Sequence, residues 1–306
     1  MKVLVTGGNG FIGRAVCTEL AKGGGHEQVV LDRHLPASPV AYPPQMFFGD
    51  IKDATAVTEA VAHVDGVIHL AGVLGTQETI TNPRPAVETN IRGGINILEA
   101  CAQYGVPLVN IAVGNWFESS TYSITKTTVE RFTQMYAKYR GLQVCSVRAY
   151  NAYGPGQSVA QPYGTSRVRK IIPSFISRAL HGETIQVYGD GAQVMDMIHV
   201  SDVACCLVAA LAGLGVGLAS GTYAAGTGRR TTVGEIAEMV AAEVCTQTGK
   251  PVPIEHLPMR PGETPGAEVL ADLEQVRPLG VDPGGFMPLE EGLRHTVTYY
   301  RDVFAK

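Results

Sequence analysis

The chain has 306 residues, of which 45% are apolar and 17% charged, so it can bury a sizeable core in one large domain or two closely joined ones. Its net charge of -4 offers no basic field, so neither nucleic acid nor an anionic membrane is expected as a partner. The six cysteines show no C-x-x-C spacing, which argues against a disulfide framework, and no metal site is predicted. No apolar stretch reaches the roughly 18 residues of a membrane span and the N-terminus enters a strand at once, so we expect a cytoplasmic protein.

The first twenty residues predict a strand, a glycine turn and a helix. An apolar run, residues 3–6, leads into Gly7, Gly10 and Gly13 at G-x-x-G-x-x-G spacing, and a helical pattern follows through residue 20. In a dinucleotide site these glycines make the tight turn, admit the pyrophosphate to the backbone and let helix and strand pack closely. The pyrophosphate then lies on free N–H groups at the positive helix N-terminus. An ordinary strand-to-helix turn is the alternative for the glycines alone.

A second apolar run, residues 28–31, ends in Asp32, nineteen residues after Gly13. An acid at this distance hydrogen-bonds the adenosine ribose and disfavours a 2′-phosphate, which predicts NAD rather than NADP. Arg33 keeps the NADP alternative open, since a neighbouring arginine is how a 2′-phosphate can be accommodated.

Strands alternate with helical patterns through the first half, which predicts an α/β fold with a parallel, doubly wound sheet of the Rossmann type. The predicted strands are residues 3–6, 29–31, 46–48, 67–70, 108–113 and 144–148. Asp50 closes the third strand, where it meets the adenine or serves as a turn carboxylate. The fourth strand carries His69, interpreted as a core histidine, and ends in residues 70–72, which let the middle of the cofactor lie against the backbone.

The next elements are a helix and then a second lobe. A helix predicted over residues 83–102 contains Asn90, which either satisfies backbone groups near the nicotinamide site or simply lies on the helix. From Tyr153 a loop rich in glycine and proline predicts a smaller C-terminal substrate-binding lobe. The elements predicted after this loop are helices at 171–180, 200–211, 233–244 and 289–304 and a strand at 185–188. The predicted domains are 1–165, which also receives about 192–224, and 166–191 with 225–306.

Tyr122 and Lys126 are the sharpest chemical signal, because residues four apart on a helix share a face. A phenol is mostly protonated at neutral pH, but a lysine ammonium beside it, together with the positive nicotinamide of NAD, favours the phenolate. Tyr122 is therefore predicted as a base, and Lys126 can also hydrogen-bond the nicotinamide ribose.

With these motifs the sequence resembles the extended short-chain dehydrogenase/reductase family, particularly its nucleotide-sugar epimerases and dehydratases, over nearly the whole chain. Further shared segments are residues 148–156, 187–193, 202–204 and 260–263. The resemblance implies that Asn151 touches the sugar diphosphate, Tyr188 borders the base and Arg260 grips the diphosphate, a role that suits a guanidinium. The cofactor set is Gly7, Gly10, Phe11, Ile12, Gly13, Asp32, Arg33, Asp50, Ile51, Leu70, Ala71, Gly72, Asn90, Tyr122, Lys126 and Tyr150. The substrate set is Thr76, Asn115, Asn151, Arg169, Ile172, Gln186, Tyr188, Met195, Arg260 and Glu263.

Two departures from the family's pattern bear on the site. The family places a Ser or Thr at the end of the fifth strand, where this chain reads Ala112-Val113-Gly114-Asn115, and only eight residues separate Val113 from Tyr122. We expect the missing polar contact to come from one of four residues: Asn115, Ser119, Ser120 or Thr121. The second departure is Met195, where relatives commonly carry an arginine; the nucleotide stays open, with three cations available to compensate: Arg167, Arg169 and Lys170.

These inferences predict an NAD-dependent nucleotide-sugar epimerase that acts at C4 through a transient 4-keto sugar, with Tyr122, Lys126 and Asn115 as catalytic residues. A 4,6-dehydratase or a uronic acid decarboxylase is the alternative. The family's dehydratases add an acid pair near the strand-end hydroxyl, whereas this chain has Glu118 there. An alternative of another class is a protein that binds NAD without turnover. A homodimer through helices 85–102 and 122–139 is expected.

Overall fold

The computed structural model describes residues 1–22, 25–35, 44–260 and 264–305. Seven strands form its central sheet: β1 Lys2–Thr6, β2 Glu27–Asp32, β3 Gln45–Phe48, β4 Gly66–His69, β5 Leu108–Val113, β6 Val144–Ala149 and β11 Thr222–Ala225. The sheet is all-parallel in the order β11-β6-β5-β4-β1-β2-β3, which confirms the predicted Rossmann-like fold. The sheet order reverses between β1 and β4, and ligands bind at the carboxyl ends of strands at such a switch point.

Helices cover both faces of the sheet. The helices of the described residues are α1 Phe11–Ala21, α2 Ala54–Val61, α3 Glu78–Thr81, α4 Arg84–Ala86, α5 Gly93–Tyr104, α6 Thr121–Arg140, α7 Ile171–Leu180, α8 Val200–Leu214, α9 Val233–Thr248 and α10 Leu289–Phe304. Successive side chains of β1 enter opposite cores: Val3 and Val5 pack with α1 and α8, and Leu4 packs with α2 and α5. Because both faces are buried at the centre of the sheet, β1, β4 and β5 are mostly apolar along their length.

The helix predicted over residues 83–102 is interrupted by a π-helical segment, Val87–Arg92, between α4 and α5. Such wider turns often occur at functional sites. Asn90 lies in this segment and is 2% exposed. The predicted helix is therefore present, and its middle segment, which carries Asn90, is π-helical.

A second core lies in the C-terminal half, where α7, α9 and α10 pack around Ile176, Val240 and Val297. Its strands are β7 Asn151–Tyr153, β8 Ile185–Tyr188, β9 Val194–Met195, β10 Met197–His199, β12 Thr231–Thr232, β13 Ile254–Leu257 and β14 Glu268–Val269. They form small groups: β7 with β10, β8 with β13, and β9 between β12 and β14. Short 3-10 turns at Leu273–Gln275, Arg277–Leu279 and Pro283–Gly285 lead to α10.

Across the described ranges, we find no helix that combines the length and the apolarity needed to cross a membrane.

Candidate active site

The glycine turn between β1 and α1 is packed so closely that side chains cannot enter it. Gly7 has φ +71°, and a Cβ there would lie 2.9 Å from the Ala71 nitrogen. A Cβ on Gly13 would lie 2.3 Å from the Gly7 carbonyl oxygen. The residue at the N-terminal cap of α1, which starts at Phe11, is Gly10, so the cap position itself has no side chain over the N–H groups of the first turn. A bare backbone cradle at a helix N-terminus fits the pyrophosphate of a dinucleotide.

Asp32 ends β2 beside this turn. Its carboxylate accepts hydrogen bonds from the backbone N–H groups of Asn9 (3.1 Å) and His34 (3.0 Å) and keeps acceptor capacity toward the cleft that it lines. The Arg33 guanidinium lies 3.8 Å from the carboxylate of Asp50. Asp32 therefore presents negative charge where a 2′-phosphate would lie, and Arg33 is drawn toward Asp50, so the residues fit NAD.

The backbone of residues 70–73, which follows β4 and lines one wall of the cleft, is hydrogen-bonded by the side chains of Thr6 and Asn90. The Thr6 hydroxyl accepts hydrogen bonds from the backbone N–H groups of Leu70 and Ala71, both at 3.2 Å. The Asn90 amide accepts from the Val73 N–H (2.7 Å) and donates to the Val73 carbonyl (3.1 Å) and to the Thr125 hydroxyl (2.9 Å). Asn90 thus satisfies backbone groups of the cleft wall, one of the two roles that the sequence left open.

His69 is a buried histidine, as the sequence predicts. It is 2% exposed, and its Nδ1 lies 2.7 Å from the Thr6 hydroxyl oxygen. Burial, reinforced by the nearby charge of Lys126, lowers the pKa of His69 to about 3. The ring is therefore neutral in the folded protein and acts in packing.

We expect this histidine to make the fold acid-sensitive. Below a pH of about 6.5 the unfolded chain binds a proton that folded His69 refuses, so the free energy of unfolding falls as the pH drops toward about 3. The slope from this group is about 1.4 kcal/mol per pH unit. Urea unfolding of His69→Gln should lack this part of the slope, whereas the exposed control His63→Gln should retain it. Equal slopes in all three proteins would contradict the assignment.

Tyr122 and Lys126 lie in the first two turns of α6 and both line the cleft. The helix starts there because the Ser120 hydroxyl caps it, accepting from the Ser123 N–H at 3.2 Å. Burial raises the pKa of Tyr122 to about 12. Burial also lowers the pKa of Lys126 to about 8, against the opposing effect of the Glu130 carboxylate. The protein by itself thus favours the phenol, and a phenolate requires further positive charge beside the ring.

The segment after β5 supplies Asn115 and Glu118 to the cleft. The Asn115 amide donates to the Glu118 carboxylate at 2.5 Å. Ser120 is fully buried in the helix cap, its hydroxyl donating to Ser123, so it is committed to α6. Of the candidates for the missing strand-end hydroxyl, Asn115 is the one that lines the cleft, and Glu118 accompanies it.

The cleft has a volume of about 540 Å³ and adjoins a cavity of about 200 Å³. Three cations, Arg169, Lys170 and Arg260, line both spaces together with the Glu118 carboxylate and so mark their junction. Tyr188 contacts two of these cations. Its hydroxyl accepts a hydrogen bond from Arg169 at 3.0 Å, and the guanidinium carbon of Arg260 lies 4.6 Å from the centre of its ring. Such a junction suits a diphosphate that joins groups bound on either side.

The predicted residues largely converge on these two spaces. All of the predicted cofactor residues except Asn90 line the larger cleft, as do Thr76, Asn115, Asn151, Arg169, Ile172, Met195 and Arg260. Gln186 and Tyr188 line the smaller cavity with Met195, and Glu263 lies outside the described residues. The sequence missed Gln157 and Thr89 as lining residues, and it proposed Lys170 only as a compensating cation. Lys170 had a usable signal, since it immediately precedes the predicted helix at residue 171.

Comparison with known proteins shows what the chain resembles. The family model described as the NAD dependent epimerase/dehydratase family matches residues 3–226. A dTDP-glucose 4,6-dehydratase of Mycobacterium tuberculosis is 31% identical over 227 residues, which is 66% of this chain and 66% of that protein. The structure of the Thermus thermophilus UDP-glucose 4-epimerase with NAD is 30% identical, with a TM-score of 0.82 over 98% of this chain and 99% of that one. MoeE5 in complex with UDP-glucose and NAD is 27% identical, with a TM-score of 0.83 over 99% of this chain and 100% of that one.

Proposed function

Because the chain belongs to the NAD-dependent epimerase/dehydratase family, we propose that it inverts C4 of a nucleotide-diphosphate sugar through a transient 4-keto sugar. Its cofactor is NAD. When bound beside the glycine turn and Tyr122, NAD would supply a reversible hydride acceptor for the sugar carbon. The cytoplasmic location and the homodimer stay predictions.

This choice rests on the residues near the reacting carbon of the sugar. We call the part of the cleft lined by Tyr122, Lys126 and Asn115 its sugar end. Tyr122 and Lys126 line this part of the larger cleft, and Glu118 lines both it and the smaller cavity. The other carboxylates among the described lining residues of the cleft, Asp32 and Asp50, lie beside the glycine turn and β3. C4 inversion needs one group that takes and returns the hydroxyl proton. Elimination of water needs a second pair of groups, one to take the C5 proton and one to protonate the leaving hydroxyl. The single carboxylate favours inversion.

In the proposed C4 inversion, the residues of the cleft have the following roles. Tyr122 removes the proton of the C4 hydroxyl, and the Lys126 ammonium stabilises the phenolate. Asn115 supplies the hydrogen bond that the family's strand-end hydroxyl gives. Arg169, Lys170 and Arg260 hold the diphosphate at the junction of the two spaces, so that the keto sugar can turn without leaving. Tyr122 finally returns the proton.

Purified protein with NAD should interconvert C4 epimers of one among the UDP-, dTDP-, GDP- and ADP-sugars, without added NADH and without change in product mass. Mass spectrometry of the products separates the candidates, because dehydration removes a water and decarboxylation removes carbon dioxide. Unchanged sugars, with NAD bound, would instead support a binding protein without turnover.

A 4,6-dehydratase is the second candidate, and the Glu118 carboxylate in the cleft favours it. The Asn115 amide donates to this carboxylate at 2.5 Å and so orients it within the turn. A carboxylate next to a ketone can remove an adjacent C–H proton. In that case the product would lose water, and Glu118→Gln would abolish the loss while sparing hydride exchange at C4.

A further inference from the structure

Residues 114–118 form an irregular turn that brings Asn115 and Glu118 to the cleft, whereas the two aromatic residues between them are exposed. Trp116 and Phe117 are each 47% exposed. Within the turn, the Glu118 N–H donates to the Asn115 carbonyl at 3.1 Å. Contacts with the rest of the protein include the Thr127 hydroxyl, which donates to the Trp116 carbonyl at a long 3.4 Å. The indole ring of Trp116 makes a further contact with the rest of the protein.

Arg148, on β6, provides that contact with the face of its guanidinium. The guanidinium carbon lies 4.9 Å from the centre of the Trp116 ring. A planar cation over an indole is the most favourable cation–π pair. The Arg148 side chain is 18% exposed, so the contact is partly shielded from water.

The carboxylate of Glu130 binds the edge of the same Arg148 guanidinium. This carboxylate, 3% exposed, accepts from Arg148 Nη2 at 2.7 Å and from Arg148 Nε at 3.2 Å. The Thr222 hydroxyl donates to the same carboxylate at 2.9 Å. A bidentate pair sets the plane of the guanidinium, and that plane decides where the indole can lie. Glu130 is also one helical turn after Lys126, so the network reaches the proposed catalytic helix.

We propose that Glu130 and Arg148 are positioning residues that hold residues 114–118, and with them Asn115 and Glu118, at the sugar end of the cleft. The role in turnover rests on the proposed function, whereas the mechanical role does not. Lysine cannot replace Arg148, because an ammonium offers neither the planar fork nor the flat face.

Trp116 is the only tryptophan of the chain, so its fluorescence reports this contact directly. In Arg148→Lys and Glu130→Gln we expect Trp116 emission to shift to longer wavelength and acrylamide quenching to increase. The matched controls Arg131→Lys and Glu59→Gln, both at exposed positions, should behave as the wild type. Unchanged emission and quenching in both test variants, with circular dichroism of a folded protein, would overturn the proposal.

Kinetics test the functional part. Arg148→Lys should lower kcat/KM for the nucleotide sugar about five- to tenfold and leave NAD affinity unchanged. Trp116→Leu should have the same effect, and the double variant should lose no more than either single one. If the buried pair variants fail to fold, Trp116→Leu at its exposed position decides, and an unchanged kcat/KM there overturns the proposal. If the wild type converts no nucleotide sugar, the proposed function fails while the fluorescence still decides the positioning role.

Discussion

Replacing Tyr122 with phenylalanine is expected to reduce nucleotide-sugar turnover by about 100- to 10,000-fold, the usual contribution of a positioned acid–base group. The ring keeps its shape, so the wall of the cleft and the affinity for NAD should remain. Tyr139→Phe is the matched control, because Tyr139 is 71% exposed on the same helix α6. Activity that survives Tyr122→Phe would rule out this residue as the base.

The pKa of Tyr122 gives the same proposal an independent spectroscopic test. Burial holds this pKa at about 12, so the phenol stays protonated near neutral pH. The positive nicotinamide of NAD+ should lower it, whereas the uncharged ring of NADH should not. Phenolate absorbance titrated with each cofactor form, as the difference between wild type and Tyr122→Phe, measures this. Equal titrations with NAD+ and NADH would contradict the electrostatic account.

Replacing Lys126 with methionine is expected to lower turnover by about 100-fold or more, because the phenolate of Tyr122 loses its neighbouring cation. The same change should raise the stability of the fold. Lys126 is 5% exposed, and burial lowers its pKa to about 8, so its charge is costly below that pH. Methionine removes that cost, which we place at about 1–3 kcal/mol at neutral pH.

The pH dependence of unfolding tests whether Lys126→Met stabilises the fold for the reason given. Between pH 8 and the ordinary pKa of lysine, 10.5, the unfolded chain binds a proton that folded Lys126 has lost. The advantage of Lys126→Met in urea unfolding should therefore be full below a pH of about 8 and fade as the pH rises toward 10.5. Lys138→Met, at an exposed position of α6, is the matched control and should change neither turnover nor this slope. A variant less stable than the wild type at neutral pH would contradict the assigned burial cost.

Short-range patterns predicted most of the sheet. The strand over residues 108–113 and the helices over 171–180 and 289–304 have the predicted bounds. In each of them, a continuous apolar run or an apolar stripe at helical spacing indicates which residues are buried. β11 and β13 were missed. Thr222–Ala225 ends in two alanines, and Ile254–Leu257 lies in a proline-rich stretch, so neither carries a strong strand signal. Pairing with β6 and with β8 makes them strands.

The sequence by itself determined the glycine turn, the acid at Asp32 and the Tyr122–Lys126 pair, since each depends on spacing within one strand, turn or helix. Only the tertiary structure decided that Asn115 lines the cleft while Ser120 caps a helix, and that Arg148 lies between Glu130 and Trp116. These contacts join segments far apart in the chain, and the pKa of Tyr122 depends on how deeply its neighbours enclose it. A local apolar pattern indicates that a segment is buried, but it does not encode which distant residues meet there or how deeply they enclose a polar group.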